Sequence, residues 1–345
     1  MVPRLVFDHA RLDHNLRALA DAARASRITT LFAAKSFPHP IVHALAAEYL
    51  DGFDAASTHE VRTLPAARIL SIADPTGRAA EAAAAHRGRL IVSCETVEQV
   101  RAAPAHAEIA IRISSSVTAR DPAVGAVLDG SGHRRSRFGL DVGSDQRDAM
   151  IAAANGRPVG LHVHHGPVTA TSPERVLATA RAVLADVEPA FLDLGGAWHG
   201  ITDLPHALAE LRAAIPEQIE LIIEPGRLIT ERAGFARGTV LVARELEDRP
   251  LRVLDLSRIC HLRWSQVELV AAAPHPGDGR RALFVGPTCY EDDVVGEWSV
   301  TPAQLPEGAR VVLRGVTGYA VAWNTSFGGV PAAEVVIGDV DRLLE

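Results

Sequence analysis

The sequence is poor in lysine and in cysteine. Lys35 is the only lysine among 345 residues, and the three cysteines, Cys94, Cys260 and Cys289, show no Cys-x-x-Cys spacing. An odd number of unclustered cysteines predicts neither a disulfide framework nor a structural zinc site. Each cysteine therefore needs its own explanation, and we expect Cys94 and Cys260 to lie in the core.

The sequence also lacks a basic charge excess and long apolar runs. The net charge is −7 and the isoelectric point is about 6.1, which disfavours binding to phosphodiester backbones or anionic lipid. No uncharged apolar stretch reaches the roughly 18 residues of a membrane span, and no apolar segment follows basic residues at the N-terminus. We expect a cytoplasmic protein without nucleic-acid or membrane partners.

What the sequence does contain is a regular alternation of short apolar runs with Ala-rich segments. The runs typical of strands lie at residues 29–34, 52–57, 68–73, 89–93, 108–113, 158–164, 190–194 and 220–224. Strand and helix alternating eight times over about 200 residues predict an α/β fold of the parallel (β/α)8 barrel (TIM-barrel) type. A doubly wound open sheet is the alternative.

The pattern changes after residue 238. Strand-like segments such as TVLVARELE, LRVLDLS and AEVVIGDV are joined by Gly/Pro turns with little helix, which favours a mainly antiparallel β domain. We predict a barrel domain over residues 10–238 and a β domain over residues 239–345, with residues 1–9 associated with the β domain.

Residues that could take part in catalysis or ligand binding lie at the ends of the predicted strands, where barrel active sites form. They are Lys35, Asp54, Ser57, Arg112, His162, His164, Gly195, Gly196, Glu224 and Arg227. An amine at the end of a buried strand is costly unless it is used, and a neutral amine attacks carbonyls. The loops GGAWHG and EPGR offer backbone amides and an arginine to a phosphate. Pyridoxal 5′-phosphate, a phosphorylated aldehyde, fits both features.

Several motifs resemble those of a known family. FAAKSFP resembles its Schiff-base lysine motif, and FDAASTHEV resembles its next strand, with Asp54 and Glu60 in place. IAIRI, SRFGL, GLHVHHG, DLGG, EPGR, VGPTC and GYA follow in the family's order. The chain thus resembles, over most of its length, the fold-type III pyridoxal-phosphate decarboxylases of ornithine, diaminopimelate or arginine, which combine an alanine-racemase-like barrel with a β domain.

The resemblance implies a role for each matching residue. Lys35 would hold the cofactor as an internal aldimine, His164 would stack on its ring, and Glu224 would face the pyridine nitrogen and stabilise a quinonoid. Alanine racemases place an arginine against that nitrogen, so Glu224 favours decarboxylation over racemisation. A regulatory homologue without catalysis is a further alternative, against which the retention of Lys35, Glu224 and Cys289 counts.

The resemblance also implies a shared active site. Cys289 would reach across the interface of a homodimer and reprotonate the substrate Cα, so that Lys35, Cys289 and His164 form the catalytic set. The implied cofactor-binding residues are Lys35, Asp54, Arg112, His164, Gly195, Gly196, Glu224, Gly226, Arg227 and Tyr319.

Two departures from the family concern the phosphate. Pro167 stands where the family has a phosphate-binding serine, and proline offers neither a hydroxyl nor an N–H group. Ala197 replaces a common third glycine but keeps its backbone N–H. One phosphate contact is therefore lost or replaced.

A third departure concerns the substrate. Tyr290 stands where the diamine-forming enzymes carry an acid, and with Glu291, Asp293 and Arg263 it forms our candidate substrate set. The segment CYEDDVVGEW also resembles carboxynorspermidine decarboxylases. Arg258 and Arg263 are either surface residues or ligands of a distal carboxylate. We predict a basic or extended amino acid as substrate.

The HVHH segment invites a metal interpretation. His162 and His164 alternate onto one face of a strand, as metal ligands do. In amidohydrolase barrels such a pair lies on the first strand and is joined by ligands from later strands, whereas here it lies on the sixth. We therefore predict no metal and retain a metal hydrolase as the least favoured alternative.

Overall fold

The computed structural model describes residues 2–114, 138–141, 144–164, 172–184, 187–247, 249–270, 280–300 and 305–344. The chain divides into two compact units, one of residues 16–35 and 42–228 and the other of residues 1–15, 36–41 and 229–345. We call them the barrel unit and the sheet unit. The domain limits at 10–238 and 239–345 stay a prediction.

The barrel unit contains a closed parallel barrel. Its strands are β2 (Ile28–Ala33), β3 (Gly52–Ala55), β4 (Ile69–Ile72), β5 (Arg89–Cys94), β6 (Glu108–Arg112), β7 (Val159–His162), β8 (Phe191–Asp193) and β9 (Glu220–Ile223). The pairing of Ile28 with Leu221 closes the ring. The predicted (β/α)8 barrel is confirmed, and each predicted strand end lies within about two residues of the observed one, which is the usual uncertainty of element boundaries.

Helices alternate with these strands along the chain. They are α1 (His9–Ala25), α2 (Pro40–Tyr49), α3 (Thr58–Thr63), α4 (Arg78–Ala82), α5 (Val97–Ala102), α6 (Asp145–Ala153), α7 (Ser172–Leu184) and α8 (Leu204–Ala214). Local chemistry sets their starts: Thr96 and Gln99 form a reciprocal capping box at the start of α5. Within the described ranges, no helix is both long and apolar enough to cross a membrane.

The interior of the barrel is filled from several strands. Leu31, Ile91, Ala110, Phe191 and Ile222 are buried together and exclude water from the centre, as expected for a packed core rather than a pore.

An ion-pair cluster lies where the barrel strands begin. Arg89 bonds both Glu108 and Glu220 at 2.8 Å, and its guanidinium lies 5.5 Å from the centre of the Phe191 ring. The Thr29 hydroxyl donates to Glu220 at 2.7 Å. Arg89 thus ties together the starts of three strands, whereas the active sites of such barrels lie at the opposite end.

The sheet unit is built around a mixed sheet. Its strands are β1 (Arg4–Asp8), β10 (Gly234–Glu245), β11 (Pro250–Leu254), β12 (Glu268–Leu269), β13 (Arg280–Val285), β14 (Val294–Val300), β15 (Arg310–Arg314) and β16 (Glu334–Gly338). The order is β12-β15-β10-β11-β13-β14, and β1 pairs with both β10 and β16. The β1–β16 and β11–β13 pairs are parallel and the other pairs antiparallel, which confirms the mainly antiparallel prediction.

Two short helices, α9 (Tyr319–Ala322) and α10 (Val340–Leu344), complete the sheet unit. Strands β12 and β14 are not predicted by the sequence pattern. The first has only two residues, and Gly296 and Glu297 interrupt the apolar run of the second.

Candidate functional site

The only lysine is held by a buried carboxylate. Lys35 lies in a 3-10 turn, Ala34–Ser36, immediately after β2, and its Nζ is 2.6 Å from Oδ2 of Asp54 on β3. Asp54 is fully buried, whereas the Lys35 side chain is 36% exposed. The ion pair offsets part of the cost of the buried charge and fixes the amine at the C-terminal end of the barrel.

The chain that follows Asp54 is fixed by a second acid. Glu60 accepts the backbone N–H of Ala56 at 2.6 Å, while Ser57 accepts the backbone N–H of Glu60 at 3.2 Å. Burial raises the pKa of Glu60. The Ser57 hydroxyl thus caps α3, and the Glu60 carboxylate holds the backbone of the preceding loop at Ala56.

Two buried carboxyl groups meet at the ends of β8 and β9. Burial raises the pKa of Asp193, and burial together with the charge of Asp193 raises the pKa of Glu224 well above its usual value. A hydrogen bond from Glu224 to Asp193 opposes the rise at Asp193. Two buried carboxyl groups this close do not both ionise readily, because adjacent negative charges in a buried site repel.

His162 lies beside this pair. Its Nδ1 is 3.0 Å from the Ser93 hydroxyl, and its Nε2 is 3.9 Å from Oε1 of Glu224. Burial, with the positive charges of Arg112 and His164, lowers the pKa of His162 well below its usual value, so the ring is neutral.

Ligand atoms of His162, Asp193 and Glu224 lie within 4.8 Å of one another, and all three residues are buried. Among the described residues this is the one histidine and carboxylate cluster with the spacing of a metal site. The sequence pattern pairs His162 with His164 and does not single out Asp193. The available signal was an acid at the C-terminal end of a barrel strand.

His164 contacts the glycine loop after β8. A Cβ on Gly195 would lie 3.0 Å from Cδ2 of His164, and a Cβ on Gly196 would lie 3.1 Å from the carbonyl oxygen of Glu224. Gly195 also has a φ of +66°, a backbone conformation that residues with a Cβ rarely adopt. The absence of side chains therefore lets the loop backbone pack closely against His164 and the Glu224 carbonyl.

The same loop is held by two further bonds. Asp193 accepts the backbone N–H of Gly195 at 2.8 Å, and the indole N–H of Trp198 donates to the carbonyl of Gly195 at 2.7 Å. Trp198 is buried. Its role is to fix the glycine loop, which the sequence does not reveal.

Arg227 begins a 3-10 turn, Arg227–Thr230, directly after Gly226. Its Nη1 is 3.4 Å from Nε2 of His199 in the glycine loop. Gly226 is buried. Arg112 ends β6, and its guanidinium lies 5.4 Å from the centre of the Phe138 ring. The contact with His199 brings Arg227 to the GGAWHG loop. That these loops bind a phosphate stays a prediction.

The remaining candidate residues lie in the sheet unit. Cys289 is exposed, whereas Cys94 and Cys260 are buried. Tyr290 is 55% exposed and its ring lies 5.9 Å from that of Phe327, and Glu291 is exposed beside it.

Aromatic contacts surround two other candidates of the sheet unit. Tyr319 begins α9 with its ring 5.0 Å from that of Trp264. The Arg263 guanidinium lies 4.3 Å from the centre of the Trp323 ring, within cation–π range. Arg263 is exposed.

Asp293 is buried, unlike its exposed neighbours. It accepts hydrogen bonds from the Ser257 hydroxyl at 2.9 Å, the Arg258 backbone N–H at 2.6 Å and the Thr288 hydroxyl at 2.7 Å. The Arg258 side chain donates to the carbonyls of Leu262 and Ser265. These two candidate residues therefore join the loops of the sheet unit to one another.

One predicted feature lies outside the described residues. Gly166 and Pro167, on which the missing phosphate contact depends, are in the range 165–171. The first two residues of SRFGL, at 136 and 137, also lie outside the described ranges.

Comparison with known proteins finds the same architecture. Residues 9–231 match the family model described as pyridoxal-dependent decarboxylase, pyridoxal binding domain. A diaminopimelate decarboxylase of Vibrio cholerae is 25% identical over 258 residues, covering 67% of this chain but only 59% of that protein. An ornithine decarboxylase of Schizosaccharomyces pombe is 23% identical over an alignment of 364 positions, gaps included. The alignment covers 93% of this chain and 80% of that protein. The structure of the M. jannaschii diaminopimelate decarboxylase with L-lysine is 18% identical, with a TM-score of 0.78 over 97% of this chain and 86% of that one.

Proposed function

Because this chain belongs to the family of pyridoxal-dependent decarboxylases, whose cofactor is pyridoxal 5′-phosphate, we propose that it releases CO2 from the α-carbon of a basic or otherwise extended amino acid. The observation that carries the proposal is the bond between Lys35, the only lysine, and buried Asp54 in a barrel that also buries Glu224. The substrate class rests on the diaminopimelate and ornithine named for the two relatives.

The described residues fit this cofactor. Glu224 Oε1 is buried and has no hydrogen-bond partner among the described residues, so a protonated ring nitrogen would satisfy it. Because Gly195 and Gly196 have no side chains, their backbone lies directly beside the His164 ring, which would stack on the cofactor. Arg227 supplies a cation for the phosphate. When bound, the cofactor supplies a conjugated electron sink for the electron pair left by the departing carboxylate.

Lys35 would hold the cofactor through Nζ, and Asp54 Oδ2, 2.6 Å from Nζ, pairs with the amine when it is free. Asp54 orients Nζ, because its own side chain is buried and cannot turn to solvent. Burial, with the charge of Asp193, raises the pKa of Glu224, so its carboxyl group would carry a proton and pass it to the ring nitrogen, leaving a carboxylate that faces the protonated ring.

Cys289 would return a proton to the substrate Cα from its exposed thiol. We propose that it does so in a homodimer whose subunits share their active sites. Tyr290, Glu291, Asp293 and Arg263 remain the proposed substrate set, and Tyr319 a proposed phosphate ligand.

The test is CO2 release from a panel of diamino acids, carboxyalkyl polyamines and amino acids with distal carboxylates. We expect CO2 from one class with the wild-type protein, and neither CO2 nor the absorbance of bound cofactor with Lys35→Ala. Chiral analysis of the unreacted substrate distinguishes decarboxylation from the alternative, racemisation. Racemised substrate without CO2 release would show that the protein is a racemase. A Lys35→Ala protein that keeps the absorbance and the parent rate would refute the assignment of Lys35.

A further inference from the structure

His199 has one ring nitrogen with a defined partner. Nη1 of Arg227 lies 3.4 Å from its Nε2. A guanidinium donates hydrogen bonds and cannot accept them, so Nε2 must be the acceptor. A neutral imidazole that accepts at Nε2 carries its proton on Nδ1. The contact with Arg227 therefore fixes the tautomer of His199.

The proton on Nδ1 has no partner in the part of the chain that is described. The Nδ1 atom of His199 is buried, and no described acceptor lies within hydrogen-bond distance. Buried donors are nearly always paired, because they lose their bonds to water. An acceptor that is not part of the described chain therefore belongs at Nδ1.

The surroundings of His199 select an anionic acceptor. The residue follows Gly195, Gly196 and Ala197 in the loop after β8, and Arg227 approaches it from the loop after β9. In many barrels these two loops form the phosphate-binding site. Ala197 has a φ of +74°, a left-handed conformation that turns the chain within this loop.

We propose that His199 donates its Nδ1–H to the phosphate group of the cofactor, beside the guanidinium of Arg227. This inference rests on the proposed function. The chain would thereby gain a phosphate donor, although its Pro167 has neither a hydroxyl nor an N–H group. Burial and the positive charge of Arg227 lower the pKa of His199 to about 4, so His199 acts as a neutral donor near pH 7 and Arg227 supplies the charge.

The experiment compares two ligands that differ only in the phosphate. Cofactor-free protein is titrated with pyridoxal 5′-phosphate and with pyridoxal, and binding is followed by tryptophan fluorescence. His199→Phe keeps a planar ring without a donor, and His199→Asn keeps an N–H group near the position of Nδ1. His206→Asn, on the exposed surface of α8, is the control.

We expect His199→Phe to weaken the binding of pyridoxal 5′-phosphate by about tenfold or more, the usual effect of losing a hydrogen bond to a charged group, and to leave pyridoxal binding unchanged. His199→Asn should recover most of the affinity, and His206→Asn should match the wild type. Asn has no atom equivalent to Nε2 and so cannot make the contact with Arg227. Recovered affinity in His199→Asn would therefore assign the effect to the donor at the Nδ1 position.

Three results would overturn the inference: equal losses for both ligands, no loss for either, or no advantage of Asn over Phe. If His199→Phe does not fold, His199→Asn and His199→Ala provide the same comparison. Failure of the proposed function would look different, since the phosphate-dependent binding would persist while no amino acid in the panel released CO2.

Discussion

Lys35 Nζ and Asp54 Oδ2 lie 2.6 Å apart, across the first two strands of the barrel. The contact follows from the register of β2 and β3, in which Ala33 lies opposite Asp54 and Lys35 comes two residues later. A fully buried carboxylate and the only amine of any side chain in the sequence are thus held as a pair. The pairing explains how the chain tolerates both charges at this position.

Cofactor attached to a side-chain amine can be attached only at Lys35, because the sequence has no second lysine. Borohydride reduction of the cofactor-loaded protein should therefore fix one pyridoxyl group per chain, on the peptide that contains Lys35. Intact-mass and peptide mass spectrometry measure this. The control is Lys35→Arg, which keeps the positive charge and should carry no label on any side chain. A labelled side chain in Lys35→Arg would contradict the prediction.

Replacing Asp54 by Asn should impair catalysis more than folding. Asn keeps the shape of the buried side chain but removes the charge that orients Nζ of Lys35. We expect turnover to fall by about 10- to 100-fold, the range that misplacement of a reacting group produces. Steady-state kinetics and a thermal melt measure the two effects. Asp21→Asn, on the surface of α1, is the matched control, and equal turnover in both variants would refute the role of Asp54.

Asp293→Ala should destabilise the sheet unit. It removes the acceptor of the Ser257 hydroxyl, the Arg258 backbone N–H and the Thr288 hydroxyl. Leaving several buried donors unpaired costs about 3 kcal/mol. Urea denaturation measures the loss, and Asp292→Ala, at the exposed neighbouring position, should cost less than about 0.5 kcal/mol. Similar midpoints for the two variants would show that the network contributes little.

Cys289 should be the one cysteine that reacts quickly with a thiol reagent in the folded protein. It is exposed, whereas Cys94 and Cys260 are buried, and burial raises the pKa of Cys94 to about 12. Quantitative alkylation should give one fast site in buffer and three in denaturant. In Cys289→Ala the fast site should disappear and turnover should fall, by about 100-fold if the thiol delivers the proton, while the cofactor stays bound. Unchanged turnover and products would remove this role.

The stability of the sheet unit should fall as the pH is lowered from about 7 to about 5. His261 accepts the Ser257 backbone N–H at Nδ1 and contacts the Pro331 carbonyl at 2.9 Å through Nε2, which requires a neutral ring. Burial lowers the pKa of His261, although the Pro331 carbonyl and Asp293 oppose the shift.

The sign follows from proton linkage. Below a pH of about 6.5, the pKa of an unperturbed histidine, the unfolded chain binds a proton that the folded chain does not, so protonation favours unfolding. His261→Asn should be less stable than the wild type at neutral pH but should lose less stability on acidification. Urea midpoints at several pH values measure both slopes, and parallel slopes would contradict the assignment to His261.

The sequence by itself determined the barrel. Parallel strands are buried on both faces, so each reads as an apolar run, and the alternation with helices is visible without long-range information. It also placed Lys35, Asp54, Glu224 and Arg227 at the ends of strands, where barrel sites form. The pairing of β1 with both β10 and β16 could not be read locally, because it joins residues more than 200 positions apart.

Tertiary structure alone decided which side chains come into contact. Asp193 meets Glu224 because β8 and β9 are neighbours, Asp293 is buried because a loop 36 residues earlier folds over it, and His199 faces Arg227 across two loops. The identity of a residue does not show whether its side chain will lie in solvent, in a buried hydrogen-bond network or against a ligand. Its environment, and hence its charge and chemistry, is set by the packing of distant segments.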